Sequence, residues 1–378
     1  MRIILNEIKK LFDWKVVALV LLLSFLFYQL FMDFEFSVFP NGRPTTDHYN
    51  IAKDMIAEYG QEMDETEFED FKLTYQEEVE KANDYLQSRE DAVAIGITTY
   101  EQFRARDGHD EQASKLSSNI MFEEGVDVFW ELQARESIIE RYANKKEDFS
   151  RSTAHINSEA WKQTIIDGKY HHSILPGLVT DNYNNLIKMV AIWVVISVMI
   201  IVGRVFIVDQ KNNVMLLQYT SKTGRLIFRK KVIAAVITTL LITTAYLAAF
   251  FAMYRTNETS DFFQSKVWSF DNSYQSWFNL TFLQYIILTV IGIYLLALIS
   301  GVLSTILSRY MSAYITLIGS QVPIVVILVY LIGEYLIYNI ASIHDPKLLP
   351  FITYTILIAF AFFWLNYRIR REKRLDIL

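Results

Sequence analysis

Apolar positions fall into six stretches long enough to cross a bilayer, where a helix needs about 20 residues to cover roughly 30 Å of hydrocarbon. They run from Lys15 to Met32, Leu186 to Val208, Val232 to Tyr254, Leu280 to Leu307, Ala313 to Ile332 and Leu348 to Tyr367. Between the first two, the pattern changes to helical periodicity. Ile51, Met55, Ile56 and Tyr59 share one face, Phe68, Phe71, Tyr75, Val79 and Tyr85 another, and Val126, Phe129, Trp130, Leu132 and Ile139 a third. Strand-like alternation is confined to Ala92–Thr99, and Gly60, Gly96, Gly108 and Gly125 mark turns or helix ends. The expected fold is an all-α polytopic membrane protein of six transmembrane helices, with a mostly helical domain inserted between helices 1 and 2.

Charge assigns sides to this frame. Residues 33–186 hold 32 Asp/Glu against 15 Lys/Arg, a net of −17, and the rest holds 10 against 21, a net of +11. Basic loops stay in the cytoplasm. Arg2, Lys9, Lys10 and Lys15, the seven basic residues from Arg204 to Lys231, Arg309, and the five from Arg368 to Arg374 all lie on one side of the predicted spans. Both termini are therefore expected in the cytoplasm and the acidic block, residues 33–186, outside. Trp268, Trp277 and Phe278 then suit the outer interfacial belt. The first span reads as an uncleaved anchor, because Asp33, Phe34, Glu35 and Phe36 offer no small-residue cleavage site. There are no cysteines, so the acidic domain must hold together by packing.

The chemistry missing from the chain narrows its function. No phosphate-binding Gly-x-x-x-x-Gly-Lys-Ser/Thr loop, His-Glu-x-x-His pair or Gly-x-Ser-x-Gly elbow occurs, so no catalytic or metal site is expected. His171 and His172 are adjacent, a poor chelating geometry. An acidic exterior repels phosphate backbones, which argues against nucleic acid as a partner. Few ionisable groups lie deep in the spans. Glu334, about 31 Å along a helix from Ala313, marks the end of the fifth span near the outer interface, with a short helix possible before His344–Pro346. Lys188 and Arg204 sit near opposite ends of the second span, where they can snorkel.

Two features concern packing or motion. Ala297, Gly301 and Thr305 repeat at four-residue spacing, a small-residue face that serves either a subunit seam or an internal contact. Gly319, Ser320, Gln321 and Pro323 interrupt the fifth span, as a gate or a static kink.

The first fifteen residues form an amphipathic segment with Ile4, Ile8, Leu11 and Phe12 on one face and Arg2, Glu7, Lys9 and Lys10 elsewhere, expected to lie in the inner interface. Val214, Leu217 and Gln218 suggest a short helix between the second and third spans, with Gly224 closing the turn before the cations from Arg225 to Lys231. A small apolar knob inside a polar rim suits the docking of a partner.

Here the chain resembles the permease subunit of a type-2 ABC exporter. Asp209 stands at that family's acidic position after the second span, with Asn213 in place of a Gly. Leu216 and Leu217 match its Leu-Leu pair, Arg225 its Arg, and Lys230 or Lys231 the Lys opening the third span. Asn6-Glu7-Ile8-Lys9-Lys10-Leu11-Phe12 is similar to its opening. The resemblance implies three regions: an interfacial helix and first span over 1–32, an extracellular domain over 33–186, and spans two to six over 187–378 with a coupling helix at about 209–222 and a basic tail. It implies a bacterial plasma-membrane location, a dimer with a second copy or sister permease, and a separate ABC ATPase that binds ATP and Mg. The cargo implied is a peptide, bacteriocin, antibiotic or other amphipathic molecule. Asp209, Val214, Leu216, Leu217, Tyr219 and Arg225 are the expected coupling residues, and Ala297, Gly301, Pro323 and Glu334 the gate or packing residues. The alternative is a membrane-anchored sensor or assembly module whose outer domain binds a peptide or envelope partner without an ATPase. A passive channel fits poorly, since no span carries a regular polar line.

Overall fold

The computed structural model describes residues 2–106, 108–152, 174–212, 214, 218, 224, 226–270 and 276–374. Among them the chain is helical, with isolated bridges in place of strands. Contacts divide it into two compact units. One holds Met1–Phe39, Asp181–Glu258 and Tyr274–Leu378, and the other Pro40–Thr180 and Thr259–Ser273.

In the first unit a short helix, α1 (Arg2–Leu11), precedes α2 (Trp14–Phe31), whose N-terminus is capped by Asp13 accepting from the Lys15 amide at 2.9 Å. A single turn, α3 (Asp33–Ser37), follows. Among the described residues six segments are long and apolar enough to span a membrane: Trp14–Phe31, Leu178–Lys211, Leu226–Asn257, Phe282–Tyr310, Tyr314–Leu336 and Leu349–Glu372. The chain is a multi-pass membrane protein.

The observed helices outrun the apolar stretches, for a physical reason. The second span starts at Leu178 rather than Leu186 because its polar residues are paired inside the protein. Asn182 donates to the Glu35 carboxylate at 3.0 Å, and Asn184 accepts from the Tyr285 hydroxyl at 2.8 Å. Such pairing removes the cost that polar groups carry in an apolar setting. The third begins at Leu226, within the basic run. No helix forms between the fifth span and His344–Pro346, where turns carry the chain instead.

Ala297 and Gly301 are internal packing positions. Both are buried, and a Cβ on Gly301 would strike the Thr239 hydroxyl of the third span and approach Val198 of the second to 3.4 Å. The fifth span stays helical through Pro323, with Gln321 buried and donating to the Met199 carbonyl at 3.1 Å and the Ser304 hydroxyl at 2.7 Å. Glu334 is exposed in the wider last turn, Ile332–Leu336. Lys188, read as snorkelling, lies over the Tyr338 ring at 4.5 Å.

The second unit is built on α4 (Thr45–Tyr59), α5 (Glu65–Gln87), α6 (Glu90–Ala94), α7 (Tyr100–Arg104), α8 (Glu111–Ser118) and α9 (Asp127–Ser152). One apolar cluster joins Leu86, Phe103, Leu116, Phe129 and Leu132, and another joins Ile51, Met55, Phe71, Ile138 and Tyr142. The three helical faces legible in the sequence supply both. Gly60 ends α4 at a φ of 84°, which only glycine adopts cheaply. The strand-like Ala92–Thr99 is instead the end of α6 and a turn, because Thr99 and Gln102 form a capping box that starts α7. In the loop from Arg255 to Asn279, which joins the third and fourth spans, residues 259–270 belong to this unit. Phe262 is buried against Tyr49, with ring centroids 5.5 Å apart, and the Ser265 hydroxyl bonds Gln61. Trp268 goes with them, whereas Trp277 in the other unit donates to the Asp345 carbonyl at 2.7 Å.

Candidate functional site

Four charges meet inside the first unit. Glu7 comes from α1, Asp209 from α11 (Arg204–Lys211), the helix continuing α10 (Leu178–Val202), and Lys231 from the first turns of α12 (Leu226–Tyr254). Glu7 is 4 % exposed, Asp209 3 % and Lys231 1 %. Lys10, one turn after Glu7, closes the group from its more open side.

The hydrogen bonds leave little unsatisfied. The Lys231 ammonium has three protons to give. It donates to Glu7 Oε2 at 2.9 Å, to the Val205 carbonyl at 2.8 Å and to Asp209 Oδ2. Lys10 donates to Glu7 Oε1 at 2.8 Å and Asp209 Oδ1 at 3.1 Å, so every carboxylate oxygen in the group is engaged. The Gln218 amide adds a 2.7 Å bond to Asp209 Oδ2. The Phe206 ring faces Lys231 at 5.2 Å, a favourable placement for a cation.

Two carboxylates and two ammonium groups sum to zero, which makes burial tolerable, because an unpaired charge here would lose its hydration without return. Burial lowers the Lys10 pKa, but its bonds and charge attraction to Glu7 and Asp209 outweigh that and leave it raised. The consequence is mechanical: α1, the end of the second span, the start of the third and residue 218 are tied at one point.

A smaller cluster lies at the ends of α13 (Phe282–Tyr310) and α15 (Leu349–Arg374). Arg309 meets Glu372 at 2.9 Å, Arg368 meets the same carboxylate at 2.5 Å, and Arg368 stacks over Tyr310 at 4.6 Å. The Phe206 amide donates to the Ser308 hydroxyl at 3.1 Å, joining α11 to α13.

Of the expected coupling residues, Asp209 is brought into the ionic group and Val214 is half-buried. Leu216, Leu217, Tyr219 and Arg225 lie outside the described residues. Gly224 adopts a φ of 46°, and its carbonyl accepts from the Ile227 amide as α12 begins. Lys231, not Lys230, is the basic partner. The placement of Glu7 is a correction: assigned to the polar side of α1, it is buried. The signal was present, since Ile4, Glu7, Ile8 and Leu11 follow the i, i+3, i+4, i+7 spacing of one helix face. Among the described residues no group of acidic or histidine side chains is arranged to hold a metal. His171 and His172 lie outside the described residues. No family model, curated protein or solved structure matches the chain.

Proposed function

We propose that this chain is the membrane-spanning subunit of an ATP-driven exporter of the type-2 ABC class, with both termini and the 212–225 segment in the cytoplasm and the acidic unit outside. The observation that carries the reading is the buried network of Glu7, Lys10, Asp209 and Lys231, because it fastens the segment between the second and third spans to both spans and to α1. A partner pressing on Val214, Leu216, Leu217 and Tyr219 would move three membrane elements together. Asp209 acts from inside, holding the docking segment through Gln218, while Arg225 would meet the partner. ATP and Mg belong to that ATPase, and a dimer with a second copy or sister permease completes the assembly.

The experiment is extraction in mild detergent followed by mass spectrometry of what co-purifies. The expected result is a stoichiometric soluble ATPase, lost when Leu216 and Leu217 are both changed to Ser and kept in Arg225→Glu with ATP hydrolysis uncoupled from transport. A monodisperse chain without an ATPase would replace this reading with a membrane-anchored sensor or assembly module.

A further inference from the structure

In the first unit a crevice of about 360 Å³ opens between the second half of α2, the middle of α10 and the last turns of α12. Phe27, Met32, Phe36, Trp193 and Phe250 make its walls almost wholly apolar. Phe25, Ala249 and Met253 are exposed at its mouth, and on membrane spans an exposed face meets hydrocarbon. The volume lies at the small end of the range for ligand sites, space for a single tail. Its floor is closed by a chain of hydrogen bonds. Ser24 gives its proton to the Val20 carbonyl at 2.6 Å, so the Tyr246 hydroxyl donates to Ser24 Oγ at 2.8 Å, and Ser197 donates to Tyr246 at 3.2 Å. Trp193 Nε1 donates to Ser24 Oγ at 2.8 Å. Each of these protons has an acceptor, and the depth of the crevice asks for no polar atom from what enters it.

Charge gathers at the other end, where α2 gives way to α3. The Tyr28 hydroxyl, in the crevice wall, faces the Asp33 carboxylate, and Glu35 immediately precedes the lining Phe36. Asp33 accepts from Gln29 at 3.5 Å, and Glu35 from Asn182 at 3.0 Å and Asn185 at 3.3 Å; neither enters an ion pair among the described residues. No Lys, Arg or His lines the crevice, and Lys188, the cation of α10, lies over the Tyr338 ring instead. A phosphate headgroup would meet like charge here, with no cation to receive it. An ammonium would meet two carboxylates at the edge of a poor solvent, where Coulomb attraction is strong. Bilayer hydrocarbon is as apolar as the crevice, so moving a tail from one to the other gains little and the head decides what binds.

We infer that this crevice binds an amphipathic amine with one hydrocarbon tail, the tail lying along Phe27, Trp193 and Phe250 and the ammonium at Asp33, with Glu35 adding to the field. As a site for cargo it rests on the transport reading. Binding is measured on the chain alone, without any ATPase, so the failure of either can be told from the failure of the other.

The test uses the full chain in phosphatidylcholine nanodiscs, photolabelled with a dodecylamine that carries a diazirine in its tail, and mass spectrometry of the labelled peptides. Saturable labelling of α2, α10 and α12 at the crevice is expected, displaced about tenfold more effectively by dodecylamine than by dodecanol or dodecyl phosphate at the same mole fraction. Asp33→Asn should weaken it about tenfold. Ala249→Phe, which fills the mouth from an exposed position, should abolish it, and Glu111→Gln, an exposed carboxylate of the other unit, should leave it unchanged. Equal displacement by dodecanol or dodecyl phosphate, or unchanged labelling in Asp33→Asn or Ala249→Phe, overturns the site. Labelling spread equally over exposed side chains of the fifth span, such as Ile315 and Val326, overturns it as general partitioning, and an equal loss in Glu111→Gln overturns it as a general acidic field. Displacement by phosphatidylethanolamine at the mole fraction of dodecylamine would overturn the assignment to a single-tailed amine.

Discussion

Glu7 Oε2 and Lys231 Nζ lie 2.9 Å apart across a sequence separation of 224 residues, both almost fully buried. Removing one member of such a pair strands the other in a poor solvent. Lys231→Met leaves two carboxylates facing only Lys10, and the expected loss is about 3–5 kcal/mol. Adding Glu7→Gln restores neutrality. The double variant is therefore expected to be more stable than Lys231→Met alone, a coupling that thermal unfolding of the detergent-solubilised chain would show as clear non-additivity. Additive losses would mean that the two groups do not depend on each other.

The second unit has an ionic cluster of another kind, on its surface. Arg89 pairs with Asp91 at 2.8 Å and Glu124 at 2.6 Å, and the Tyr85 hydroxyl donates to Glu124 at 2.6 Å. Hydrogen bonds from Arg89 hold both carboxyls below their ordinary values of 3.8 for Asp91 and 4.5 for Glu124. A depressed folded-state pKa contributes stability that is fully present above the unfolded value and lost as pH falls through the folded one. The amides around α6 and residue 124 are thus expected to keep their hydrogen-exchange protection at pH 6 and to lose it below about pH 4. Because these groups are exposed and screened, the loss should be local and should shrink with added salt. Arg89→Gln should abolish the pH dependence; a profile unchanged in that variant would assign it elsewhere.

What could be read from the sequence follows from which forces are local. Span number and the faces of α4, α5 and α9 depend on hydropathy and on helical period, both visible in a short window. The ionic network is not of that kind. In α1 the period placed Glu7 on the apolar face, but the ordinary preference of charge for water argued the other way, and only a partner 224 residues distant decides between them. Asn182 and Asn184 hid the start of the second span for the same reason. Ala92–Thr99 failed differently: alternation over so few residues was overruled by the Thr99–Gln102 cap, a purely local device that could have been weighed.

Gly301 shows what the small-residue face accomplishes. A Cβ there would collide with the Thr239 hydroxyl, whose oxygen is buried without a hydrogen-bond partner among the described residues. Gly301→Ala is expected to lower stability by about 1–3 kcal/mol through overpacking. Thr239→Ala, which removes both the obstacle and the unsatisfied oxygen, should recover most of that loss when combined with it. The recovery would be read from thermal unfolding of the two single variants and the pair. No recovery would locate the strain at Val198 instead, the other neighbour of the added methyl.

Gln321 and Pro323 separate packing from motion in the fifth span. Gln321 ties that span to the second through the Met199 carbonyl and to the fourth through Ser304, and Ser304 itself donates to Met199 at 3.0 Å. Gln321→Leu removes both bonds while leaving the Ser304 bond to satisfy the carbonyl. Side-chain hydrogen bonds in membranes are worth about 0.6 kcal/mol on average and at most about 1.7, so a loss of roughly 1–2 kcal/mol is expected. Pro323 is exposed, and replacing it with Ala gives the preceding turn a missing donor, which should leave stability equal or slightly raised. If the break serves only packing, the transport activity proposed above should be equal in Pro323→Ala and in the unaltered protein. A fall in that proposed activity while the unfolding temperature holds would make the proline a moving part, with the Gln321 bonds as the fixed point about which the rest of the span turns.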